Sequence, residues 1–210
     1  EASYFKFTES KLLNLAKAGK EAGIELFVMD DGWFGTRDND TQSLGDWDVN
    51  KKKLPRGIKG LCDKVNALGL DFGIWVEPEM VNVKSNLYRN HPEWALGIPG
   101  KPHAEGRNQR ILDLTNPQVQ DYLIEAMSNV FSSAEIAYVK WDMNRHSNIL
   151  GAGSMEYILG LYDVLRRIFG PRPGVLLESC SSGGNRFDLG MMCFSPQVWA
   201  SDDTDPIERL

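Results

Sequence analysis

The sequence predicts an α/β fold, a (β/α)8 TIM barrel of which the 210 residues cover about five central strands, read as one partial domain over residues 1–210. Three observations carry that reading. Amphipathic helical segments alternate with single short apolar runs, the pattern of βαβ units around a parallel sheet. Connections after the strands are long and rich in Gly, Asp and Pro, notably 31–55 and 77–115, while those before strands are short; in such barrels the functional face is built from the loops that follow the strands. Each predicted strand also ends on a polar group.

The elements follow in order. Residues 10–22 read as a helix with Leu12, Leu15, Ala16 and Gly19 on one face, Thr8 as its cap and Gly23 as its stop. The run from Ile24 to Met29 is short and apolar, as expected of a strand buried in a parallel sheet. A second unit has a helix over 57–68, Gly69 as its stop, and a strand over 70–76. The third opens with Asn116-Pro117, a cap followed by a first-turn proline, and continues with Val119, Tyr122, Leu123, Ala126, Met127 and Val130 at helical spacing. Its strand spans 136–141. Met155, Ile158, Leu159, Tyr162 and Leu165 mark a further helix, Val175 to Leu177 a fourth strand, and Gln197 to Ala200 a fifth.

At the strand ends stand Asp30-Asp31, Glu77 and Glu79, Asp142, Glu178-Ser179-Cys180 and Asp202-Asp203. Carboxylates accept hydrogen bonds from several hydroxyls, and Trp33, Trp47, Trp75 and Trp199 offer ring faces to C–H groups, so a sugar ligand is the natural expectation. A carboxylate pair also permits glycoside hydrolysis. Aspartate at a strand end can serve simply as a turn or helix cap, a reading that weakens when five consecutive strands share the feature. Lys140 lies two residues before Asp142 and therefore on the same side of the strand. On those two residues alone, an ionised nucleophile beside a cation and a plain salt bridge are both open. Arg107 could clamp hydroxyls or an acid. Cys180 with the Ser181-Ser182-Gly183-Gly184 run lacks a base to activate the thiol, and reads as a Gly-rich loop admitting a ligand close to the backbone.

Composition bounds the alternatives. The chain is 42% hydrophobic and 25% charged, with a formal charge of −6, which disfavours nucleic-acid partners. No apolar run approaches the roughly 20 residues needed to cross a bilayer, so no membrane partner is expected. Cys62, Cys180 and Cys193 lack CxxC spacing and favour reduced thiols in a cytoplasmic protein. His91, His103 and His146 are scattered, and no metal site is expected. No targeting signal is legible at Glu1 to Phe5.

Six blocks stand in order along the chain: Phe27 to Gly35 (FVMDDGWFG), Leu44 to Trp47 (LGDW), Gly73 to Met80 (GIWVEPEM), Tyr138 to Arg145 (YVKWDMNR), Glu178 to Gly184 (ESCSSGG) and Trp199 to Asp205 (WASDDTD). In these blocks and their order the chain resembles family 36 of the glycoside hydrolases, chiefly microbial α-galactosidases. The resemblance implies a retaining hydrolase acting on terminal α-linked galactose in sugars such as melibiose and raffinose, with Asp142 as nucleophile. An aspartate of the last block is the implied acid/base, Asp202 rather than Asp203 because it follows the small Ser201. It also implies galactose contacts from Asp30, Asp31, Trp75, Arg107, Lys140, Asn144, Cys180 and Gly183, with no metal or organic cofactor. A retaining pair is expected about 5–5.5 Å apart, against about 6.5–9.5 Å for an inverting pair. The alternatives are a transglycosylating raffinose-synthase-like relative and a non-catalytic sugar-binding barrel. The family's first-strand Trp, its last two barrel strands and its flanking domains are expected outside this segment, which is expected to be unstable or inactive alone; the full-length protein is expected to be a homo-oligomer, a tetramer.

Overall fold

The computed structural model describes residues 3–98, 100–103, 105–145, 152–203 and 205–208, so His146 and Thr204 lie outside it. In chain order the elements are α1 (Glu9–Glu21), β1 (Leu26–Met29), α2 (Gly57–Asn66), β2 (Asp71–Val76), β3 (Met80–Val81), α3 (Asn86–Asn90), a 3-10 turn at Pro92–Trp94 and β4 (Arg110–Ile111). They continue with α4 (Pro117–Ser132), β5 (Tyr138–Trp141), α5 (Ala152–Phe169), β6 (Leu176–Ser179), α6 (Leu189–Met192) and β7 (Gln197–Val198). A five-stranded sheet in the order β1-β2-β5-β6-β7 is parallel at every step. With helices between successive strands, this is an arc of the expected (β/α)8 barrel.

Local chemistry sets the boundaries. The Thr8 hydroxyl accepts from Lys11 N at 3.3 Å, and α1 ends where Gly23 adopts φ 88° and returns its N–H to Lys20 O. Asn116 caps α4 by accepting from Gln118 N at 2.9 Å, with Pro117 in the first turn. The stripe read for α4 is the packed one: Val119, Leu123, Met127 and Val130 are buried, and Tyr122 and Ala126 pack against the core.

Two helical faces differ from expectation. In α5 the buried stripe is Tyr157, Leu161, Val164, Leu165 and Ile168, while Met155 and Leu159 are 65% and 57% exposed. That helix is apolar nearly all round, so its periodicity leaves the phase open; Gly160 fixes it, because a Cβ there would collide with the Leu114 carbonyl before α4. In α1, Leu12 and Ala16 are buried but Leu15 is exposed, beside Phe27 and Val28 at the unpaired side of β1. The 77–115 loop is not structureless either: β3 and β4 pair antiparallel in it and α3 lies between them.

Strand register builds the barrel's inner face. Trp75 lies opposite Lys140, Lys140 opposite Glu178 and Glu178 opposite Gln197, giving one inward row across four strands. Below it, a Cβ on Gly73 would meet Tyr138 at 2.8 Å and Val28 at 3.0 Å, so glycine lets the Tyr138 ring fill that layer. The alternate residues Phe72, Ile74, Val76, Val139 and Trp141 pack outward in the helix-facing core.

Candidate active site

A cavity of about 580 Å³ opens at the C-terminal ends of the strands. Asp30, Asp31, Trp75, Arg107, Lys140, Asp142, Asn144 and Asp202 all line it, together with Glu77, Arg37 and Gln109. Convergence is selective. Glu79, Glu178 and Asp203 end strands or begin loops in the same way, yet none of them lines it.

Asp142 follows β5 directly and is only 6% exposed. Its Oδ2 accepts from Trp75 Nε1 at 3.1 Å and from Asn144 Nδ2 at 2.6 Å, and its Oδ1 accepts from Met143 N at 2.9 Å. Burial, and then the negative charge of Asp142, push the Cys180 thiol up to about 12, so it stays protonated. Lys140 does not pair with Asp142: its ammonium sits 4.3 Å over the Trp199 ring. The salt-bridge alternative for these two residues therefore finds no counterpart among the described residues. Trp199 in turn donates Nε1 to Asp202 Oδ1 at 2.7 Å. Asp203 faces a different task, accepting from Asp205 N at 2.9 Å in a local turn.

On the β1 side, Asp31 is clamped by Arg37, whose Nε lies 2.9 Å from Oδ1 and whose Nη2 lies 2.7 Å from Oδ2. Arg37 is 2% exposed and also donates to Asn82 Oδ1 and the Gln42 carbonyl. Asp30 accepts from Asp31 N at 2.7 Å; lost hydration raises its carboxyl above the usual aspartate range, opposed by that hydrogen bond and by Lys140. Arg107 and Asn108 occupy the two central positions of a tight turn between Gly106 and Gln109, with φ 53° and 58°. Such a turn suits Asn and strains Arg, and the strain presents the Arg107 guanidinium at the cavity rim.

Cys180 and Gly183 are not among the residues that line the cavity; Gly183 has φ 89°, and a Cβ there would lie 2.6 Å from Ala200 O, so glycine lets the backbone leading to Asp202 come close. Two expectations need correcting. Trp33 and Trp47 are core residues at 0% and 6% exposure; of the four tryptophans Trp75 lines the cavity, and Trp199 supports Lys140 and Asp202 from behind it. Glu79 points away into a buried knot, taking Trp141 Nε1 at 2.9 Å, Tyr157 hydroxyl at 2.7 Å and Arg186 Nη1 at 2.8 Å. Arg37 and Gln109 were not legible in the sequence, since each sits in a long loop without periodicity and finds its partner only through folding.

The model of the Melibiase family matches residues 1–210. The chain belongs to the Melibiase family. It is 54% identical to the α-galactosidase AgaA of Geobacillus stearothermophilus and 46% identical to the α-galactosidase Mel36A of Lactobacillus acidophilus, in each case over its whole length. It spans about 30% of the length of these two relatives. The crystal structure of AgaA superposes with a TM-score of 0.93 at 53% identity, covering 99% of this chain and 30% of that one. A variant of AgaA has been solved in complex with raffinose, again at a TM-score of 0.93 and with the same coverage. This Melibiase-family chain thus carries a barrel arc that brings Asp30, Asp31, Glu77, Asp142 and Asp202 to one cavity.

Proposed function

We propose that the protein carrying this chain is a retaining α-galactosidase that releases terminal α-linked galactose from oligosaccharides. Asp142 attacks the anomeric carbon while Asp202 protonates the departing glycosidic oxygen. Asp202 then takes a proton from water, which displaces Asp142 and frees galactose. Two inversions give net retention. The observation that carries the reading is the environment of Asp142, a buried carboxylate whose oxygens are held by Trp75, Asn144 and the Met143 amide on the wall of a cavity that Asp202 also lines. Such fixed donors pre-orient a nucleophile without neutralising it.

The remaining side chains suit a hydroxyl-rich ligand. Asp31, immobilised by Arg37, and Asp30 accept from outer hydroxyls and select galactose by the direction of one of them. Lys140, with no carboxylate partner among the described residues, is free to donate to a sugar oxygen, and Arg107 does so from the rim. Trp75 joins the two regions. The names of the relatives, and the raffinose bound by the AgaA variant, support the same substrate class.

Proton NMR of a nitrophenyl α-galactoside during the first minutes of turnover tests this. The free sugar should appear first as the α anomer, and the β anomer should grow in only by mutarotation. First appearance of β-galactose would contradict a retaining mechanism.

A further inference from the structure

Glu77 follows the last residue of β2 and, like Trp75 two positions earlier, lines the cavity. It is 1% exposed. Its Oε1 accepts from the backbone N of Asn144 at 2.6 Å, and its Oε2 accepts from Gln109 Nε2 at 3.1 Å. Asn144 in turn places its side-chain amide 2.6 Å from Asp142 Oδ2. One buried carboxyl thus fixes the backbone of the residue that grips Asp142. The charged groups acting on it come from two sides: Asp142 after β5, and Asp31 and Arg37 after β1. Arg37 is already committed to Asp31, and no ion pair to Glu77 is present among the described residues.

Resting on the reading of Asp142 as nucleophile, we infer that Glu77 is a positioning residue, an uncharged carboxyl that fixes Asn144 and through it the aim of the Asp142 carboxylate. A buried carboxyl that feels a second acid and has no ion-pair partner of its own is disfavoured in its charged form. Of the two, Asp142 is the one with three donors. Burial, and then repulsion from Asp142, push Glu77 up to about 8, so it holds its proton at neutral pH. Because Oε1 receives the Asn144 N–H, the proton belongs on Oε2, which faces the Gln109 amide. Gln109 Oε1 is buried without a hydrogen-bond partner, and turning that amide over makes the oxygen the acceptor of the Glu77 proton.

The test compares wild type, Glu77→Gln and Glu77→Ala in the protein that carries this chain, with kcat and KM measured on a nitrophenyl α-galactoside and normalised to folded enzyme. Losing the anchor should lower kcat of Glu77→Ala about 100-fold, the scale of a misaimed reacting group, with KM changed less than about threefold. Glu77→Gln, uncharged and still able to accept from Asn144, should recover kcat to within about tenfold of wild type. Should Glu77→Ala not fold, Glu77→Leu, similar in volume and lacking an acceptor, carries the same expectation. A purely structural role would lower thermal stability and leave kcat per folded enzyme intact. The inference is overturned if Glu77→Ala or Glu77→Leu keeps kcat within about threefold of wild type, or if Glu77→Gln is no better than either. Absence of turnover in wild type would overturn the functional reading and this inference with it.

Discussion

Asp142 and Glu77 show how two buried carboxyls of one cavity meet different surroundings. Asp142 is surrounded by donors, whereas Glu77 is buried against another acid. The consequence for stability has a definite sign. An unfolded glutamate releases its proton near the usual 4.5, whereas the folded Glu77 keeps it to about 8. Its contribution is therefore fully present below 4.5 and is lost as pH rises through 8. In melting curves taken across that window, Glu77→Gln should gain on wild type as the pH rises, and parallel Tm profiles would contradict the protonated state. Lys140 marks the limit of reading single residues. Its spacing correctly placed it beside Asp142 on one side of β5, but its partner, the Trp199 ring, lies beyond β7 and depends on a register no local pattern encodes. The same holds for Arg37 and Asp31, where two residues of one irregular loop meet only after it folds.

Helices and strands were legible where periodicity, caps and glycines agreed. Thr8, Gly23, Gly69 and Asn116-Pro117 bound their helices as expected, because caps and left-handed stops are local chemistry. The face of α5 was not legible, since apolar residues on several sides leave its phase to packing, and packing is decided by the close approach at Gly160. The β3–β4 pair was missed for a related reason, being two short segments about thirty residues apart that stabilise each other only through long-range pairing. At the β6–β7 end, Gly183 holds the loop against the strand leading to Asp202, with its φ of 89° and the Ala200 carbonyl where a side chain would begin. Gly183→Ala should therefore displace the Asp202 segment and lower kcat/KM by about tenfold or more, near 1.4 kcal/mol, and kinetics at wild-type level would show that this contact does not position the acid.

At the scale of the molecule, the five strands follow one another round an arc, and each parallel step brings another strand end to the same mouth. That arrangement explains why single aspartates in distant blocks form one site. Among the described residues it also leaves one side of β1 and one of β7 unpaired, with Leu15, Phe187 and Leu189 exposed. The (β/α)8 class was legible because alternating elements and long loops after strands are whole-chain patterns. The central claim is that Asp142 bonds covalently to the sugar, and Asp142→Ala with added azide, in the protein that carries this chain, tests it most directly. Turnover should fall on the order of a thousandfold or more without azide. With azide, β-galactosyl azide should form, because the small anion enters from the face that the carboxylate vacated. Unchanged turnover in the variant, or an azide product of α configuration, would contradict the account.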